Sequence, residues 1–216
     1  LHPRVRRQRQ MCIRDSKSTE EKCKNILEDI NLDIYQGDFL LITGPNGGGK
    51  TSLLRTILRL QTPTKGRISF FRQGEPVSSL DMGYLPQKNS IDSRFPITVE
   101  EVVASGLMGN TQKGNTKFDS KKEIDEMLDL MGITALRNKP IGVLSGGQLQ
   151  RSLFGRALIS KPEMLILDEP ASYIDRQFGN RMFEILRDLS SNGTTIMMVS
   201  HEIEPFITLS NRNLYI

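Results

Sequence analysis

The sequence predicts an α/β fold with a largely parallel sheet and a helical subdomain beside it. Three observations carry that reading. Short apolar runs, FLLIT (Phe39–Thr43), MLILD (Met164–Asp168) and TTIMMVS (Thr194–Ser200), have the length and continuous hydrophobicity of strands covered on both faces. Stretches with apolar residues at helical spacing alternate with them, which implies crossover connections and parallel pairing. Between these strands, residues of about 88–160 read almost wholly as helix and loop.

In chain order, INLDIY (Ile30–Tyr35) alternates as a half-buried strand, and FLLIT follows the Gln36–Gly37–Asp38 turn. SLLRTILRL (Ser52–Leu60) repeats its apolar residues as a helix does, and RISFF (Arg67–Phe71) reads as a further strand. TVEEVVASGL (Thr98–Leu107) and SKKEIDEMLDLMG (Ser120–Gly132) are amphipathic helices, with the polar stretch GNTQKGNTK (Gly109–Lys117) between them read as a mobile surface loop. A helix from about Gly147 to Ser160, the strand MLILD, a helix near Arg176 to Leu189 and the strand TTIMMVS complete the order.

Composition sets the outer limits. The 216 residues are 37% hydrophobic and 25% charged, an ordinary globular balance large enough for one core. The chain contains no apolar run of membrane-spanning length, so a role at a membrane needs a partner. Cys12 and Cys23 form no CxxC pair, which excludes a disulfide scaffold or a thiolate metal site and makes the cytoplasm the default compartment. The net charge of +4 resides in residues 1–16, where Arg4, Arg6, Arg7, Arg9 and Arg14 face Asp15 alone. Residues 17–216 are neutral overall, so the basic pI gives no support for nucleic acid as a partner. Residues 1–16 show neither helical nor strand periodicity and hold Met11 internally; they are expected to be a non-native leader ahead of a domain at 17–216.

Three motifs carry chemistry. GPNGGGKT fits GxxxxGK[ST] and stands between a strand and a helix: Gly44, Pro45, Asn46, Gly47, Gly48, Gly49, Lys50 and Thr51, with Ser52 following. Its glycines let backbone N–H groups converge on phosphate oxygens, and the helix N-terminus adds partial positive charge. Lys50 would reach the β and γ phosphates, and the Thr51 hydroxyl would ligate Mg²⁺. In MLILDEP a strand delivers two carboxylates at its C-terminal end, where ligands bind in open α/β sheets. Asp168 would hold Mg²⁺ through water, and Glu169 would orient and deprotonate an attacking water. In LSGGQ (Leu144–Gln148), Ser145, Gly146, Gly147 and Gln148 open a helix and make a second phosphate-binding nest.

Through LSGGQ the chain resembles an ATP-binding cassette (ABC) ATPase, whose signature motif this is. The resemblance extends to Gln87 in GYLPQ (the Q-loop, sensing Mg²⁺ and water), Asp175 in ASYID (the D-loop) and His201 in MMVSHE (the switch histidine), and it covers about residues 25–210. It implies a P-loop NTPase fold of the ABC type, with ATP and Mg²⁺ as cofactors, and a head-to-tail homodimer in which ATP on one P-loop is covered by the partner's LSGGQ. The segments GYLPQKNSIDSRFPITVEEVVASGL and LSGGQLQRSLFGRAL are similar to those of ATPases serving zinc and manganese importers. That similarity implies integral membrane permease subunits as partners, an extracytoplasmic metal-binding protein indirectly, and a place on the cytoplasmic face of the inner membrane. Zinc is the first choice of ion and manganese the second. The alternative is a soluble ABC ATPase driving assembly or remodelling, such as iron–sulfur cluster biogenesis.

The sequence departs from the family at both ends. The region before NILEDINL, where members carry an adenine-stacking aromatic on a first strand, holds no Tyr, Phe or Trp. That strand is expected to be lost or replaced, and the chain to be truncated at both ends. Gly155, where alanine is usual, costs the signature helix about 1 kcal/mol.

Overall fold

The computed structural model describes residues 9–14, 27, 30–87, 96–108, 117–201, 204 and 206–216, with residues 9–14 and 117–119 described by backbone alone. Two compact units divide the chain: one runs to Leu80 and resumes at Arg187–Ile216, and the other is Asp81–Leu186.

In the first unit, FLLIT forms β3 (Phe39–Thr43), the strand nearest the glycine-rich loop. It lies between β8 (Thr195–Val199) and β9 (Arg212–Tyr215) and is parallel to both. Every residue of β8 is buried, as are the first four of β3. Each large apolar side chain so covered contributes about 1.5–3 kcal/mol, which is why continuous apolar runs settle in central positions. Polar groups pin the ends of these strands. Asp38, fully buried, accepts from the Tyr35 amide at 3.0 Å and from Arg212 Nη1 at 2.9 Å, and Thr195 Oγ1 accepts from the Gly37 amide at 3.1 Å. Arg212 also reaches the Asp33 carbonyl and lies over the Tyr35 ring.

A second, antiparallel sheet in this unit has the order β2 (Leu32–Tyr35), β1 (Arg9–Arg14), β4 (Arg67–Arg72), β5 (Glu75–Val77). The strand at Arg9–Arg14 falls inside the segment that shows no strand periodicity in its sequence. Cys12 pairs with Asp33 on one side and Ser69 on the other, so this segment fills the interior position between β2 and β4. Backbone hydrogen bonds make that pairing, and they do not require the side-chain alternation on which the reading of residues 1–16 relied. The remainder of 1–16 and the segment SKSTEEK lie outside the described residues, as does GNTQKGNTK except Lys117.

The second unit pairs β6 (Met82–Leu85) in parallel with β7 (Met164–Asp168), Leu85 opposite Leu167. Helices α2 (Val99–Ala104), α3 (Lys117–Leu130) and α4 (Gly146–Leu158) pack together here, and α5 (Arg176–Ser191) buries Phe178, Met182 and Leu186. Close approach needs glycine at two points: a Cβ at Gly83 would fall under 3.0 Å from the Ala157 carbonyl, and one at Gly106 equally close to that of Arg156. Both carbonyls belong to α4, which lets the helix lie tight against β6 and the turn after α2.

Candidate functional site

In the first unit the glycine-rich loop joins β3 to α1 (Lys50–Ile57). Gly47 (φ 80°) and Gly49 (φ 96°) occupy the left-handed region that L side chains resist, and Gly49 is the N-cap of α1. The cap has no side chain with which to bond the first-turn amides of α1, the end of a helix that favours an anion. No acidic residue stands in that turn. Lys50, 6% exposed, bends back to donate from Nζ to the carbonyls of Gly44 and Pro45, each at 2.8 Å. The loop is thus drawn around its own ammonium group. Thr51 and Ser52 are half-buried beside it, while Pro45 and Asn46 are exposed.

His201 belongs to the same end of the same sheet. Ile42 of β3 pairs with Val199 of β8, and the chain leaves both strands in one direction, so Gly44 and His201 each follow a paired residue by two positions. The Ser200 amide bonds the Ile42 carbonyl at 3.4 Å, extending the pairing toward His201, which is exposed.

The second unit repeats this arrangement. Beyond the Leu85–Leu167 pair, β6 leads to Gln87 and β7 to Asp168 and Glu169, so an amide and two carboxylates share one carboxyl end. Asp168 is buried at 1% exposure. Glu169 is half-buried and holds φ at 51°, a left-handed conformation that costs a non-glycine residue roughly 1–3 kcal/mol. Its carbonyl accepts from the Ser172 amide at 3.2 Å, closing the turn that follows.

LSGGQ begins α4. Ser145 is its N-cap in a reciprocal box: Ser145 Oγ accepts from the Gln148 amide at 3.3 Å, and Gln148 Oε1 accepts from the Ser145 amide at 3.0 Å. The pattern Ser-x-x-Gln signals this box, and sequence reasoning that assigned both side chains to a ligand passed over it. Ser145 and Gly146 are exposed. Gly147 is glycine for a packing reason too, since a Cβ there would lie 2.8 Å from the Tyr173 carbonyl.

Asp175 is placed otherwise than as a plain ligand. Its Oδ1 accepts from the Phe178 amide at 3.0 Å, capping α5, and its Oδ2 pairs with Arg151 of α4. The Phe178 amide first, and then Arg151, hold its carboxyl below the usual aspartate range. Arg151 and Gln150 were not singled out by sequence, because a basic or amide residue inside a helix carries no local signal of its partner.

The ABC transporter family matches residues 27–172, a span that includes the glycine-rich loop, Gln87, LSGGQ and both carboxylates. The chain belongs to this family. Among curated relatives of this ABC protein, a probable metal transport system ATP-binding protein of Chlamydia pneumoniae is 40% identical over 198 residues, covering 90% of this chain and 80% of the relative. The zinc uptake system ATP-binding protein ZurA of Listeria monocytogenes is 37% identical over 195 residues, covering 87% and 75%. The zinc import ATP-binding protein ZnuC of Haemophilus influenzae is 36% identical over 181 residues, covering 83% of this chain and 62% of that one. Among solved structures, the dimeric ATP-binding cassette MJ0796 bound to ADP and Pi shares the fold at a TM-score of 0.80 and 25% identity, covering 95% of this chain and 94% of its own. The fold is therefore that of an ABC ATPase, α/β with a parallel core, and the protein is an ATP-binding subunit of that family. No helix among the described residues is long and apolar enough to cross a membrane.

Proposed function

We propose that this ABC ATPase hydrolyses Mg-ATP to drive import of a divalent metal ion, zinc first and manganese second, through an integral membrane permease. The observation that carries the reading is the glycine-rich cradle: left-handed glycines, an anion-ready helix N-terminus and a buried lysine within one loop. The names of relatives 36–40% identical supply the cargo.

In this reading the backbone amides of the glycine-rich loop and Lys50 bind the phosphates of ATP, and the hydroxyl of Thr51 would help hold Mg²⁺. Thr51, Gln87 and Asp168 offer hard oxygen donors, and a buried carboxylate such as Asp168 suits a divalent cation more than a solvent-exposed one would, so the residues fit Mg²⁺. When bound, Mg²⁺ neutralises charge on the transferred phosphoryl group. Glu169 accepts the proton of the attacking water, Gln87 orients that water, and His201 hydrogen-bonds the γ phosphate. The Ser145–Gln148 end of α4, exposed at Ser145 and Gly146, covers the nucleotide of a second copy, giving a head-to-tail homodimer; the dimeric relative supports this arrangement. The dimer works at the cytoplasmic face of the inner membrane, held there by the permease and served indirectly by an extracytoplasmic metal-binding protein.

The test is phosphate release by the purified chain with and without Mg²⁺, followed by uptake of labelled zinc and manganese in cells lacking the chain and cells restored with it. Mg-dependent hydrolysis with restored zinc uptake supports the proposal. Hydrolysis with no uptake, and co-purification with a soluble scaffold instead of a polytopic membrane protein, would replace the importer with the assembly ATPase.

A further inference from the structure

In the first unit, β9 pairs with β3 and, among the described residues, with no other strand. Its side chains alternate between half-buried and exposed, so apolar burial fixes it far less than it fixes β8. A strand of that kind slips along its neighbour unless polar groups hold its register. Two adjacent residues do so at its start. Asn211 brackets Phe39: its Oδ1 accepts from the Phe39 amide at 3.0 Å, and its own amide donates to the Phe39 carbonyl at 3.2 Å. Arg212 donates at 2.9 Å to Asp38, a carboxylate with no exposure to solvent. At the other end the Ile216 amide donates to the Thr43 carbonyl at 2.9 Å, and the main-chain oxygen of Ile216 lies against the glycine-rich loop. A Cβ at Gly44 would collide with that oxygen, and one at Gly48 would stand 3.2 Å from it and 3.1 Å from the Pro45 carbonyl. Gly48 is not in the left-handed region, so crowding rather than turn geometry disfavours a side chain there.

We infer that Asn211 and Arg212 are positioning residues for the glycine-rich loop: by fixing the register of β9 they set Ile216 against Gly44 and Gly48. A strand rises about 3.3 Å per residue, so Arg212 acts on Ile216 over roughly 13 Å, through the backbone of β9. A slip of one residue carries Ile216 off both glycines. The loop is thus ordered before any ligand arrives, and a loop already ordered loses less conformational entropy on binding phosphates. That last consequence rests on the proposed ATP binding; the order of the loop does not.

Removing Arg212 alone would strand the buried Asp38 charge, so the experiment joins Arg212→Met to Asp38→Asn, whose amide oxygen still accepts from the Tyr35 amide. Ile216→Pro, with no N–H for the Thr43 carbonyl, frees the far end of β9 and leaves both pins intact. Amide exchange of the full chain without nucleotide is the first readout. The Gly48 amide bonds the Pro45 carbonyl at 3.2 Å, and its exchange should quicken about five- to tenfold in the double variant and in Ile216→Pro. Arg212→Lys keeps the charge without the planar fork and should lie between. The amides of β8 should keep their parent rates, which a general loss of stability would not allow. All three substitutions together should be no worse than the more severe of the two variants, because they cut one path. With nucleotide, the dissociation constant of a fluorescent ATP analogue and the KM for ATP should rise about three- to fivefold while kcat stays within about twofold. Parent-like exchange at Gly48 in both variants overturns the inference, and so does equal quickening in β8. Quickened exchange at Gly48 with unchanged affinity, in a protein that binds the analogue, also overturns a positioning role toward phosphate. If the parent binds no analogue at all, quickening confined to Gly48 upholds the register lock, and it is the proposed function that falls.

Discussion

Glu169 stands at φ 51°, and a carboxylate held in a strained conformation at the end of a buried strand points to a task beyond folding. If it is the base for the attacking water, Glu169→Gln should lower kcat by about 10²–10⁴ while leaving ATP affinity near the parent value, measured by phosphate release and calorimetric titration. Lys50 makes a different prediction. Its ammonium now satisfies two loop carbonyls, so Lys50→Ala removes both the proposed phosphate contact and the group that holds the loop closed. ATP affinity should fall at least about tenfold, in line with the 1.5–3 kcal/mol of a charge-assisted hydrogen bond; unchanged affinity would remove Lys50 from the site. At this scale the sequence was informative, because GPNGGGKT, MLILDEP and LSGGQ place their chemistry on contiguous residues. Asp175 was legible only as a motif position. That its carboxylate caps α5 and meets Arg151 depends on a residue 24 positions away.

The helices are set by caps and by close packing, and each can be tested. Thr98 caps α2 in a reciprocal box with Glu101, so Thr98→Ala should cost about 1 kcal/mol in urea unfolding. The Thr98 amide, then its hydroxyl, holds the Glu101 carboxyl below its usual range, as the Phe178 amide and Arg151 do for Asp175. Both folded values are depressed, so their contribution to stability is complete above the unfolded values of about 4.3 and 3.9 and is lost as pH falls through the lower folded ones. Urea midpoints should therefore hold from neutral pH to about 5 and decline below 4, with a shallower decline in Asp175→Asn. Glycines give opposite outcomes by position. Gly106→Ala sets a Cβ against the backbone carbonyl of Arg156 and should destabilise by about 1–3 kcal/mol. Gly155→Ala gains about 1 kcal/mol of helix propensity against contacts at 3.0 and 3.3 Å with Met131 and Met127, which can bend away, so its net effect should be close to zero. The apolar runs FLLIT and MLILD became β3 and β7 at the expected residues, because burial on both faces leaves such segments little choice. The hairpin of β4 and β5 was missed: its turn puts both Gln73 (φ 54°) and Gly74 (φ 87°) in the left-handed region, and Gln-Gly lacks the Asn or Asp that announces such a turn.

At the scale of the whole molecule, the proposed dimer should appear as a doubling of mass when Glu169→Gln protein meets saturating Mg-ATP, read by light scattering. Ser145→Arg, placing a bulky cation on the exposed end of α4, should prevent that doubling without changing ATP affinity in the monomer. A dimer that forms regardless would show that LSGGQ is not at its interface. The sequence by itself determined the fold class, the glycine-rich loop before α1, the capped start of α4 and the pair of carboxylates, because a loop, a helix cap and an apolar strand are each specified by neighbours along the chain. Tertiary structure alone decided that β3 lies between β8 and β9, that Arg9–Arg14 enters a sheet, and that the start of α4 is tied to the turn behind Glu169. Those are pairings between residues far apart in sequence, and hydrogen bonds of the backbone join whichever segments the chain brings together, without leaving a local pattern to read.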